Sequence, residues 1–257
     1  MIKQLAHYLT AKWLGPAYEF HSHHYMRHNA RRLEHLASLR IPVDGRTVLE
    51  VGAGIGDLSH FYLDRNCRVT ITEQRATNLR FLHRRYPDQD VRPLDLERPT
   101  ALETFEIVHC YGLLYHLSDP ASALAFMSAH CTGMLFLETC VSFGDAHDIN
   151  PVKENRAKPS QAVSGIGCRP TRPWLFAELK ALFEHVYVPA TQPNDPEFPL
   201  NWDAPEEHRA PLSRSVFIAS RDAINNDLLR SSLVARQTRH PKSRSGDFMK
   251  DNRSFGA

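Results

Sequence analysis

Between residues 47 and 220, short apolar runs alternate with amphipathic stretches, which is how a parallel sheet covered by helices is written in sequence. The runs predict seven strands: Thr47–Val51, Arg68–Thr72, Asp90–Arg92, Glu106–Cys110, Met134–Cys140, Val186–Val188 and Ser215–Ala219. The fourth and fifth read as apolar runs, as strands buried on both faces should. The intervening pattern predicts helices over Leu58–Asp64, Thr77–Arg85, Pro120–His130 and Arg172–Phe183. Ser118 and Asp119 ahead of Pro120 supply start chemistry for the third of these.

A further helix, Ser22–Leu39, precedes the sheet. Met26, Ala30, Leu33 and Ala37 recur at helical spacing and predict its anchoring face. His24, His28, Arg31 and His35 then fall opposite, on a polar back that could meet a polar acceptor as a lid. Two stretches break the alternation, residues 144–171 and the proline-rich residues 189–214; long loops in a compact domain tend to carry function. A short helix is expected at Leu228–Ala235 and disorder beyond it. The chain thus divides into an N-terminal helical lid (1–46), a central α/β domain (47–224) and a flexible basic tail (225–257).

Composition narrows the class. At 257 residues, with 42% hydrophobic and 23% charged, the chain can bury a core without staples. It shows neither a run long enough for a transmembrane helix nor a signal-peptide pattern, and its five cysteines are odd in number and widely spaced. A cytoplasmic protein with buried reduced thiols is expected. The net charge of +2 is uneven: residues 1–46 carry seven Lys/Arg against three Asp/Glu, and residues 221–257 carry eight against four. The middle is therefore acidic, which argues against a nucleic-acid partner.

The sharpest motif is Glu50-Val-Gly-Ala-Gly-Ile-Gly56, a strand end running into three alternate glycines and then a predicted helix. Such glycines let backbone approach a ligand closely. Glu73 follows Gly52 by 21 residues, the distance at which a carboxylate takes the ribose hydroxyls of a nucleoside. A dinucleotide site reads G-x-G-x-x-G; here the third glycine comes one position early and Glu50 stands beside the loop. A pyrophosphate disfavours that extra carboxylate, whereas a ligand with an ammonium and a sulfonium suits it. S-adenosylmethionine (SAM) is thus preferred over NAD.

On these residues the chain resembles the class I SAM-dependent methyltransferases, of the type 11/12-like group. The first motif and Glu73 match, Leu94-Asp95-Leu96 resembles the segment that holds the adenine, and Ile107–Pro120 resembles the fourth strand and its following loop. The resemblance implies a Rossmann-like seven-stranded, mostly parallel sheet with helices on both faces, ending in an antiparallel pair. It implies cofactor contacts from Glu50, Gly52, Ala53, Gly54, Glu73, Gln74, Asp95, Leu96 and Tyr111.

On the acceptor side, His116 in the loop after the fourth strand is the candidate base. Tyr25, His28 and Arg32 of the first helix, and Trp202 of the proline-rich loop, are candidate acceptor contacts. His24 and His28 have the i, i+4 spacing of metal ligands, and Asp145-Ala-His147-Asp148 is a second cluster. No carboxylate shares the His24/His28 stripe, so no metal is expected. The expected activity is methyl transfer from SAM to a hydroxyl of a small polar metabolite or saccharide. Two alternatives stand beside it: an RNA-modifying enzyme, since Tyr111–Pro120 is distantly similar to the tRNA wobble-uridine carboxymethyltransferases, and a non-catalytic SAM-binding regulator.

Overall fold

The computed structural model describes residues 15–158 and 160–239. Its strands are β1 (Thr47–Glu50), β2 (Arg68–Glu73), β3 (Asp90–Pro93), β4 (Phe105–Tyr111), β5 (Cys131–Cys140), β6 (Pro151–Lys153), β7 (Ile166–Cys168), β8 (His185–Pro189), β9 (Thr191–Gln192), β10 (Arg214–Ser220), β11 (Leu229–Arg230) and β12 (Thr238–Arg239). Its helices are α1 (Ala17–Phe20), α2 (His23–Ser38), α3 (His60–Leu63), α4 (Ala76–Arg85), α5 (Pro120–Ala129) and α6 (Arg172–Leu182).

The seven expected strands form one sheet in the order β8-β10-β5-β4-β1-β2-β3, with β11 added beyond β8. β1 to β5 pair in parallel, and β10 runs antiparallel to both β5 and β8. Chain order reverses between β1 and β4, so the crevice at their C-terminal ends is where such sheets bind ligands. Apolar side chains cover both faces. Leu49, Val108, Leu124, Leu135, Leu175 and Phe217 build one layer; Val48, Ile71, Leu82, Ile107, Phe136 and Ile218 build the other. α5 starts as expected, with Pro120 in its first turn and the Asp119 carboxylate accepting the Ser122 N–H at 3.0 Å. All five cysteines are buried and free of disulfides, and no described helix is long and apolar enough to cross a membrane.

Three expectations are corrected. The helix expected over Leu58–Asp64 is only α3, preceded by a run of turns, because Ser59 has helical backbone angles and gives its hydroxyl to Glu50 instead of capping. The helix expected at Leu228–Ala235 is replaced by β11, whose Leu229 pairs with Pro189 and is buried. Residues 225–239 are therefore docked rather than a flexible tail: β12 pairs with β9, and buried Gln237 donates to the Pro189 carbonyl at 2.6 Å. The disorder expected beyond residue 240 lies outside the described residues.

The third correction is the orientation of α2. Of the expected anchors, Leu33 is half-buried against the core, whereas Met26, Ala30 and Ala37 are exposed and His28, Arg32, His35 and Leu36 are buried. His28 and His35 of the polar stripe, with Arg32 beside them, face the protein because partners await them there, while His24 stays exposed. His35 Nε2 lies 3.0 Å from the Thr191 carbonyl, and Arg32 meets a carboxylate within the sheet.

Candidate active site

At the C-terminal end of β1 the chain turns through Gly52, Ala53 and Gly54, all lining a cavity of about 290 Å³ at the sheet's crevice. Gly52 has φ +68°, and a Cβ there would stand 2.7 Å from Leu113 Cδ2, so neither the backbone shape nor the space admits a side chain. Glu73 at the end of β2 braces this loop. Its carboxylate accepts the Gly54 N–H at 2.9 Å and the Gln74 and Arg75 N–H groups at 2.8 Å each. Burial raises its carboxyl above the ordinary range, against the pull of these donors.

Glu50, 2% exposed, lies on the same wall and accepts the Ser59 hydroxyl at 2.5 Å. Burial pushes its carboxyl up to about 7, with Asp57 adding to the rise and Ser59 and Arg85 opposing it. Gln74, Leu96 and Tyr111 also line the cavity. Asp95 is not among its lining residues; its carboxylate accepts the Glu97 N–H at 2.9 Å and closes its own turn, leaving Leu94 and Leu96 at the wall.

The opposite wall is built from residues outside the glycine motif. Tyr25, His28 and Arg32 of α2 line it. Trp202 does not; it packs on Phe143 and under the Arg172 guanidinium, with its indole N–H donated to Gln237 at 2.8 Å. His147 and its acidic neighbours likewise stand away from the cavity lining.

His116 lines the cavity, and its Nδ1 lies 2.5 Å from Glu154 Oε2. Glu154 comes from the end of the β6–β7 hairpin, inside a stretch read from sequence as irregular. Gly167 of β7 lets this hairpin press against the loop after β4, since a Cβ there would collide with the Tyr115 carbonyl oxygen. The Glu154 carboxylate also accepts the Ala162 N–H at 2.8 Å and approaches Arg169 at 3.4 Å. Burial lowers the His116 pKa below that of an ordinary histidine and Glu154 opposes the drop, so the ring is neutral at physiological pH.

Behind the cavity lies a buried charged chain that sequence reading missed. Glu138 of β5, fully buried, takes Arg32 Nη2 at 2.5 Å on one oxygen and Arg214 Nη1 at 3.1 Å on the other. Arg214 Nε donates to Glu197 Oε2 at 2.6 Å. Burial alone would raise the Glu138 carboxyl, but Arg32 and Arg214 outweigh it and hold the group ionised. His28 Nδ1 stands 3.5 Å from Asp195 Oδ2, and burial together with Arg32 lowers its pKa to about 4. A charged residue within an otherwise apolar central strand was the one visible signal, at Glu138.

Comparison with known proteins agrees with this geometry. Residues 49–133 match the methyltransferase domain family. A tRNA U34 carboxymethyltransferase of Pseudoalteromonas translucida is 30% identical over 127 residues, covering 46% of this chain and 39% of that protein. A ubiquinone biosynthesis O-methyltransferase of Bordetella avium is 28% identical over 127 residues, covering 47% and 52%. The chain thus spans about half the length or less of these relatives. Among solved structures, the N-terminal domain of EvdMO1, crystallised with S-adenosylhomocysteine and D-fucose, superposes with a TM-score of 0.58 at 20% identity, covering 75% of this chain and 82% of that one. At that identity the likeness speaks for the fold. The sheet order, the glycine loop braced by Glu73 and the family match agree with one another: residues 49–133 match a methyltransferase domain, and they lie in a Rossmann-like sheet.

Proposed function

We propose that the protein transfers a methyl group from SAM to a hydroxyl oxygen of a small polar molecule, with His116 as the base. The observation that carries this reading is the His116–Glu154 pair on the wall of the cavity that also holds the glycine loop. Bound SAM supplies a methyl carbon on a sulfonium, already an activated leaving arrangement. Glu73 and the Gly52–Gly54 backbone hold the nucleoside end, and Glu50 suits the ammonium end. Glu154 accepts the Nδ1–H of His116, which leaves Nε2 as the proton acceptor. As the acceptor oxygen took the methyl carbon, the carbon–sulfur bond would break with its electron pair kept on sulfur, S-adenosylhomocysteine would leave, the hydroxyl proton would pass to Nε2, and the Glu154 carboxylate would stabilise the resulting imidazolium. The neutral ring at physiological pH is the form this role needs. Arg32 and Tyr25 present polar groups to the acceptor from α2. The EvdMO1 domain, crystallised with D-fucose, supports a saccharide-like acceptor.

A second reading, modification of a tRNA wobble uridine, is favoured by the tRNA U34 carboxymethyltransferase relative. Turnover of SAM with a panel of monosaccharides, small phenols and total tRNA separates the two. Transfer to a small hydroxyl compound, reduced about 10²- to 10⁴-fold by His116→Ala with unchanged SAM affinity, is expected. Transfer to tRNA alone, or a His116→Ala enzyme of full rate, overturns the reading. SAM binding without turnover on any arm would favour a non-catalytic regulator.

A further inference from the structure

Where α2 meets the segment after β9, four side chains converge that the methyl-transfer reading leaves without a task. His28 and Asp195 are each 2% exposed and Glu197 is 6% exposed. Neither ring nitrogen of His28 has a hydrogen-bond partner among the described residues, and neither has Asp195 Oδ2. Burying three such atoms unpaired is unfavourable, and native proteins seldom leave them so. The 3.5 Å between His28 Nδ1 and Asp195 Oδ2 is too long for a good hydrogen bond. It is a natural distance for something else: two ligands, each about 2.1 Å from a tetrahedral ion, stand about 3.4 Å apart.

We propose that His28, Asp195 and Glu197 form a binding site for a divalent transition-metal ion in the cavity wall, with His24 as an outer fourth donor. One donor atom from each of the three buried residues lies within 4.8 Å of the others. The residues are also braced for the task. Asp195 Oδ1 accepts the Glu197 N–H at 3.0 Å, which leaves Oδ2 free for an ion. Glu197 Oε2 is held by Arg214 Nε at 2.6 Å, which leaves Oε1 free. His24 Nε2 stands 3.9 Å from that Oε1, and its ring stacks on His28 at 5.9 Å between centroids. Such outer bonds orient ligand groups around an ion. Of the guanidiniums around the site, Arg32 and Arg214 are engaged by Glu138, Arg214 also by Glu197, and Arg27 and Arg239 act on Asp195 through their charge.

A mixed imidazole and carboxylate set with three or four donors suits zinc or its first-row neighbours better than magnesium or calcium, which prefer oxygen alone. His28, His24 and Glu197 line the cavity, so an ion here reaches the space in which an acceptor would lie. Its role there, holding and polarising oxygens of the acceptor, rests on the methyltransferase reading; its binding does not.

The test is calorimetric titration of the chelator-dialysed full chain with Zn²⁺, and separately with Mg²⁺ and Ca²⁺. One equivalent of Zn²⁺ is expected, at least 100-fold tighter than Mg²⁺, with affinity falling at least 100-fold in His28→Gln and in Asp195→Asn. Co²⁺ absorption of the unmutated protein gives a readout independent of variant folding, and a spectrum of nitrogen and oxygen ligands is expected. No stoichiometric Zn²⁺ binding, equal affinity in folded variants, or a thiolate-to-cobalt charge-transfer band would each overturn the site. Titration with SAM on the same sample keeps the two readings apart: loss of metal binding with intact SAM binding refutes only the metal site, and the reverse refutes only the cofactor site.

Discussion

Glu50→Gln is the sharpest probe of the cofactor wall. The folded protein holds this carboxyl at about 7 against an ordinary 4.5, so it binds one more proton than the unfolded chain between those values. A raised carboxyl contributes no penalty below about pH 4.5, where both states are protonated. The penalty grows as pH rises and is complete above about pH 7. The step corresponds to about 3 kcal/mol, most of which develops between pH 5 and pH 8. Glutamine keeps the shape and an oxygen for the Ser59 hydroxyl but cannot ionise. The stability difference between Glu50→Gln and the unmutated protein should therefore move by about 2–3 kcal/mol in favour of glutamine across that range. Urea unfolding at pH 5, 6, 7 and 8 reads it directly, and taking the difference of differences cancels the other titrating groups. SAM should show the opposite preference, because its ammonium favours the ionised carboxylate. Affinity of the unmutated protein should fall as pH drops below about 7, with a proton released on binding; the glutamine variant should bind more weakly and release none. A stability gap that stays constant from pH 5 to pH 8 would refute the reasoning.

Other substitutions test the remaining parts. Glu73→Ala removes three N–H acceptances, each worth about 1.5–3 kcal/mol when charged, and should weaken SAM at least tenfold by calorimetry in a folded protein. Gly167→Ala should push the β6–β7 hairpin off the Tyr115 carbonyl and lower turnover with little change in SAM affinity, as His116 loses its partner. Leu229→Ala should cost about 2–3 kcal/mol in urea unfolding, which a free tail would not show.

The sheet was legible because its strands are short apolar runs with turn residues between them, and parallel strands buried on both faces carry that signal most strongly. The cofactor wall was legible for a related reason. Gly52 and Gly54 sit where backbone must come close, and Glu73 sits where the next strand ends. The acceptor wall was not. Stripe logic assumes that only the apolar face of a helix turns inward, and α2 buries Arg32 and His35 alongside Leu33 and Leu36 because Glu138 and Thr191 await its polar groups. Partners such as Glu154 for His116, or Asp195 for His28, lie 38 and 167 positions away, and no local pattern joins them. The docking of residues 225–239 rests on Leu229 and Gln237, two positions in a stretch that is polar on average.

Glu138 separates the machinery of the cavity from its preferences. Hidden in the central sheet, it lines no part of the cavity, yet it engages two of the guanidiniums that do, those of Arg32 and Arg214. Exchange for a neutral residue would strip Arg32 of its carboxylate and leave Arg214 to Glu197 alone, tilting the wall toward positive charge. On the proposed reading, the balance between neutral and acidic acceptors would then depend on a side chain outside the cavity lining. Descendants of this chain could change clientele through that single position while every group handling the methyl donor stayed as it is.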